Sequence, residues 1–119
     1  MGTTTIRARL ANVLDRKRAV DAELVVDSGA IYSVVPASVL RGLGIEPERR
    51  ETFGLADGRS VKRDVGHAVF QIEGREGISK VIFGRAGDPS LLGMVTLELL
   101  GLSLDPLRRK LRPLKLMIA

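Results

Sequence analysis

The chain has 119 residues, 45% of them hydrophobic and 28% charged, a mixture that fits one small soluble domain covering 1–119 and excludes a disordered tail or a membrane protein. The formal charge is +5, but the basic residues are dispersed and aromatics reach only 3%, which argues against nucleic acid as a partner and for a core of Val, Leu, Ile and Ala. The absence of cysteine excludes disulfides and thiolate metal sites; without an apolar run long enough to span a bilayer or an apolar signal segment, the expected setting is cytoplasmic, with no membrane partner.

Residues 5–10 alternate, with Ile6, Ala8 and Leu10 on one face and Thr5, Arg7 and Arg9 on the other, the pattern of a half-buried strand. A charged turn at Asp15–Arg18 leads into a second strand, Val20–Val26, making a hairpin or meander. The stretch YSVVPASVLRGLGI, 32–45, predicts a short helix with Pro36 in its first turn and Gly42 or Gly44 at its end. Asp57-Gly58 lies between two strand-like arms in 52–74, and glycine there admits the positive φ of a tight primed turn, so a hairpin is predicted. A further strand follows at 77–84, then a loop at 85–90, a buried strand end at Leu91-Leu92 and a helix from about Met94 to Leu100.

The chain closes with a strand, a turn at Asp105-Pro106 and a last strand. There Leu107, Leu111, Leu114 and Leu116 are interleaved with Arg108, Arg109, Lys110, Arg112 and Lys115, which reads as one wet strand face. Short strands separated by turns, with one or two brief helices, predict an all-β barrel or sandwich.

Asp27 is the acid that stands apart. It ends the apolar run Leu24-Val25-Val26, whereas Asp21, Asp64 and Asp105 sit among charged or turn-forming residues and read as surface. An ionised carboxylate in such a frame would be costly to bury alone. Asp27-Ser28-Gly29 by itself is also what an ordinary strand-to-turn junction looks like. His67, the sole histidine, lies between Gly66 and Ala68 and reads as structural or exposed, with no metal site around it.

Three features occur in a definite order: Asp27-Ser28-Gly29-Ala30 after an apolar strand, a Gly-flanked hairpin from Gly54 to Gly66, and Leu91-Leu92-Gly93 before a short helix, about 65 residues downstream of Asp27. Together they resemble the single-domain retropepsin-like (retroviral-type, clan AA) aspartic proteases, including small bacterial relatives, over nearly the whole chain. The resemblance implies a closed barrel-like acid-protease fold and a homodimer whose two Asp27 carboxyls meet at a two-fold axis. Such a pair shares one proton and activates a water against a peptide bond, with no metal, other cofactor or covalent intermediate.

In that scheme Ser28 hydrogen-bonds across the axis, the backbone of Gly29 donates to a carboxylate, and Ala30 lines the cleft. Gly54, Leu55, Ala56, Asp57 and Gly58 form a flap over a peptide or protein substrate bound as an added strand, with apolar pockets beside the scissile bond. The loop at Gly87-Asp88-Pro89 approaches substrate, and Arg108–Arg112 is a strand edge at the dimer interface. Retroviral members carry an ion pair just after the Ala and just after the second Gly; here Ile31 and Met94 stand in those places and can pack together. An alternative on the same fold is a catalytically inactive dimerisation or peptide-binding module, and a third reading is nucleic-acid binding through the basic C-terminal strand.

Overall fold

The computed structural model describes residues 3–114. Strand β1 (Thr4–Ala11) turns back into β2 (Ala19–Val26) in an antiparallel hairpin running from Thr4↔Val26 to Ala11↔Ala19. The alternation in β1 places Ala8 and Leu10 inside, on the same sheet face as the buried Leu24 and Val26 of β2. A short β3 (Ser33–Pro36) feeds helix α1 (Ala37–Gly42), and β4 (Arg49–Gly54) and β5 (Ser60–Ile72) form a second hairpin. After β6 (Arg75–Gly84) come β7 (Leu91–Leu92), helix α2 (Met94–Leu99), β8 (Leu102–Asp105) and β9 (Lys110–Pro113).

The large sheet runs β1-β2-β7-β3-β6-β5-β4, and β1 also pairs with β5 through Leu10↔Phe70, so the mostly-β fold is built on a ring-like sheet. β4 lies beyond the ring, its strand pairing among the described residues being to β5, while β8 and β9 make a separate two-stranded sheet. The ring encloses Leu10, Leu24, Val35, Leu40, Ile72, Val81, Leu92 and Leu97, each at most 1% exposed. Burying each large aliphatic side chain contributes roughly 1.5–3 kcal/mol, the dominant favourable term here. The aliphatic core expected from composition is broader than that: Phe70 is fully buried and Phe83 is 2% exposed.

Several local expectations are corrected. The stretch from Tyr32 is half strand: Ser33–Pro36 pairs in parallel with β6, and Pro36 is the N-cap of α1 instead of a residue of its first turn. The residue before a proline is biased toward extended backbone, which favours strand at Val35. The tight primed turn assigned to Asp57-Gly58 occurs at Glu73-Gly74, where both residues have positive φ (51° and 81°) and Ile72 pairs with Arg75. Asp57-Gly58 instead ends a three-residue connection: Leu55 N–H donates to the Arg59 carbonyl, and Gly58 takes φ +88°.

The last strand is shorter than expected, so Arg108 and Arg109 belong to the β8–β9 turn and not to a strand edge. Asp105, expected at the surface, is 5% exposed. It accepts hydrogen bonds from the Arg108 backbone N–H and guanidinium, and these hold its carboxyl below the usual carboxylate range. A turn that begins by burying an acid needs a base within reach, and Arg108 supplies it. Lys115 and Leu116 of the basic stretch lie outside the described residues. No helix among the described residues is long and apolar enough to cross a membrane.

Candidate functional site

The Asp27–Ala30 and Leu91–Gly93 stretches, far apart in sequence, are joined by hydrogen bonds. β7 pairs in parallel with the end of β2, Val25↔Leu91 and Val26↔Leu92, so Asp27 and Gly93 leave the sheet side by side. Asp27 N–H donates to the Leu92 carbonyl at 3.3 Å. The 27–31 loop then crosses the start of α2: Met94 N–H donates to the Ala30 carbonyl and Val95 N–H to the Ile31 carbonyl, both at 2.9 Å. Gly93, the N-cap of α2, has no side chain to cap the helix, and the loop's carbonyls satisfy the first free N–H groups in its place.

Gly93 is required by this crossing. A Cβ there would lie 2.4 Å from the Tyr32 carbonyl carbon and 2.7 Å from the Ile31 oxygen, inside any tolerable contact. Gly29 is less constrained, since its Cβ would stand 3.3 Å from an Asp27 carboxylate oxygen. Its N–H donates to Asp27 Oδ1 at 2.8 Å, the backbone donation anticipated for this position, and Ala30 N–H donates to the Asp27 carbonyl.

Beneath the loop lies a polar network that sequence reasoning missed. Ser33, Ser79 and Thr96 are 0%, 3% and 0% exposed and come from β3, β6 and α2. Gly93 N–H donates to Ser33 Oγ at 3.0 Å, Ser33 Oγ lies 2.6 Å from Thr96 Oγ1, Thr96 Oγ1 lies 2.9 Å from Ser79 Oγ, and Ser79 donates to the Lys80 carbonyl. One direction of donation satisfies every hydroxyl once as donor and once as acceptor, which makes the chain cooperative. The available signal was slight: each hydroxyl falls at an inward position of its own element. Thr96→Val keeps the shape but breaks the chain in the middle, and is expected to lower stability by about 1–3 kcal/mol in urea denaturation.

Asp27 itself is solvent-exposed, as are Ser28 and Gly29. The burial cost argued from sequence therefore does not arise within one chain. Asp27 lines a recess of about 280 Å³ together with Thr4, Val26, Ser28, Leu104, Pro106, Leu107 and Arg109, so the β8–β9 turn stands over the loop. Leu107 on that turn is 92% exposed. Ile31 is 63% exposed while Met94 packs partly against the core, so the apolar replacement of the ion pair is not a buried contact within the chain.

The β4–β5 hairpin reaches over a second recess. Gly54, Leu55, Ala56, Asp57 and Gly58 form its exposed tip, where Asp57 accepts from the backbone and guanidinium of Arg59. The inward-facing Phe53, Leu55 and Val61 meet Val34, Ile82, Pro89 and Leu91 around about 240 Å³ of mostly apolar space, with Arg63 and Asp88 also on its lining. Leu91 thus contributes to the recess wall, whereas Leu92 is core.

The hairpin's base is pinned to the wall by Lys80, which donates to Glu51 at 3.0 Å and sits 4.3 Å from the centre of the Tyr32 ring. That hydrogen bond from Lys80 is the main cause of a lowered Glu51 pKa. His67, half-exposed, faces Glu48 at 2.7 Å and takes no part in either recess. No protein-family model matches this chain, and no curated protein matches it.

Proposed function

We propose that the chain is a retropepsin-like aspartic endopeptidase that acts as a homodimer, with Asp27 of each chain forming the catalytic pair. The observation that supports this reading best is the interlock of the Asp27–Ile31 loop with Leu92–Val95, which presents an exposed carboxylate on a fixed backbone at one end of the ring. A rigidly held carboxylate that accepts one bond among the described residues, from the Gly29 N–H at 2.8 Å, is placed to face a symmetry mate.

Two such carboxyls at close range share a proton and titrate as a pair. The ionised one takes a proton from the water between them as the oxygen attacks the scissile carbonyl. The protonated one donates to the carbonyl oxygen, giving a gem-diol; the pair's remaining proton then passes to the nitrogen as the C–N bond breaks, and a gem-diol hydroxyl returns a proton to the pair. Ser28, exposed beside Asp27, bonds to the partner chain and fixes the separation of the loops. The exposed Leu107 on the overhanging turn supplies apolar contact to the same partner.

The substrate lies as an extended strand beneath the Gly54–Gly58 tip. One side chain enters the recess formed by Val34, Phe53, Leu55, Val61, Ile82 and Leu91, which fits an apolar residue beside the cleaved bond. The test is cleavage of a diverse peptide library across mildly acidic pH, with and without a hydroxyl-bearing transition-state mimic such as pepstatin. Inhibitable cleavage next to apolar residues is expected; intact peptides at every pH would overturn the reading. The polar tip, with Asp57 engaged by Arg59, favours as second reading a peptide-binding module that captures the same peptides without cutting them.

A further inference from the structure

We infer that the Arg63–Asp88 ion pair is a latch that fixes the flap strand to the wall of the apolar recess and, by neutralising its own charges, sets that recess to select an uncharged side chain. The inference deepens the proposed function and rests on it for the identity of the guest, a side chain of a peptide.

Arg63 belongs to β5, the returning strand of the flap hairpin, and Asp88 to the loop between β6 and β7. They meet in a fork: Arg63 Nε donates to Asp88 Oδ2 at 2.7 Å and Nη2 donates to Oδ1 at 3.0 Å. Only 16% and 24% of the two side chains is exposed, and both line the recess with Phe53, Leu55, Val61 and Leu91. Each partner is also held by backbone. Arg63 Nη1 donates to the Lys62 carbonyl, Asp88 Oδ2 accepts the Arg85 N–H at 2.8 Å, and Asp88 N–H returns to the Arg85 carbonyl. The loop therefore holds Asp88 in place before any peptide arrives.

Opposite charges in bidentate contact leave little net field for a guest to read. An apolar side chain gains burial against the surrounding residues, and a charged one meets no unpaired ion among the described lining residues. Removing one member changes this, because the survivor is left mostly buried and unpaired, and the cheapest compensation is an opposite charge on the guest. The hydrogen bonds from Arg63 hold the Asp88 carboxyl below its ordinary value. A lowered carboxylate pKa means the pair's contribution is complete above the ordinary value and is lost only as pH falls through the lower folded one. The latch therefore stays charged in mild acid.

The test scores peptide binding to Asp27→Asn protein, so that it does not depend on turnover, using a library that varies one position at a time. With the latch intact, one position prefers apolar residues. Asp88→Asn is expected to raise binding of peptides with Asp or Glu at that position about tenfold, Arg63→Gln to do the same for Lys or Arg at the same position, and the double variant to restore the apolar preference. Hydrogen exchange of 52–65 is expected to quicken in either single variant. Unchanged preferences, shifts at unrelated positions or the same sign of shift in both variants would overturn the inference, as would no peptide binding by the latch-intact protein. Failure of the wild-type chain to cleave the library would count against the hydrolysis alone.

Discussion

Asp27→Asn is expected to lower peptide cleavage by at least about a thousandfold while leaving the fold and its stability nearly unchanged. The second half of that expectation follows from the surroundings of the side chain. Asp27 is exposed, and the one described donor to its carboxylate is the Gly29 N–H at 2.8 Å. An asparagine carbonyl oxygen in the same place accepts that bond, as Asn does in such turns generally. What the amide cannot do is take up and return a proton at the reacting water. Turnover measured with purified protein, alongside urea denaturation, checks both halves; a fully active Asn variant would rule out the proposed chemistry.

Gly93→Ala is expected to be the most damaging glycine-to-alanine change among the described residues, at about 3 kcal/mol or more in urea denaturation. The backbone at Gly93 is extended (φ −89°), so the cost is steric and not conformational. The added carbon would sit 2.4 Å from one backbone atom of Tyr32 and 2.6 Å from another. Relief requires moving the 27–31 loop away from α2, which breaks the bonds from Met94 and Val95 to Ala30 and Ile31. Gly54→Ala is the matched control, because nothing lies within 4 Å of its would-be Cβ. Equal stability of the two variants would show that the interlock does not depend on close approach.

Period-two alternation in β1 and the apolar run of β2 made the first hairpin legible, because each strand buries one face and a slip of one residue would turn that face outward. The Asp27 loop and Leu91-Leu92-Gly93 were legible as separate motifs, but not their contact: a parallel pairing of two residues leaves no periodicity to read. The β4–β5 hairpin was visible from Asp57-Gly58, yet its turn type was not, since Gly58 takes positive φ in a three-residue connection as readily as in a two-residue one.

Asp105 misled because Asp-Pro is a turn signal whether the acid faces water or the Arg108 guanidinium. Ser33, Ser79 and Thr96 were invisible as a group, because three hydroxyls scattered over 64 positions acquire meaning only when β3, β6 and α2 are packed together. Arg63 and Asp88 were hidden likewise, each being an unremarkable charge until the hairpin folds over the loop.

The pairing of two Asp27 side chains is best settled by mixing. Wild-type and Asp27→Asn chains, allowed to exchange partners, are assayed at constant total concentration while the wild-type fraction is varied. If each active site needs both carboxyls, activity follows the square of that fraction, so an equal mixture retains about a quarter of the wild-type rate. Activity that instead falls in simple proportion, to about half in the equal mixture, would mean that one chain's Asp27 suffices and would contradict the shared site.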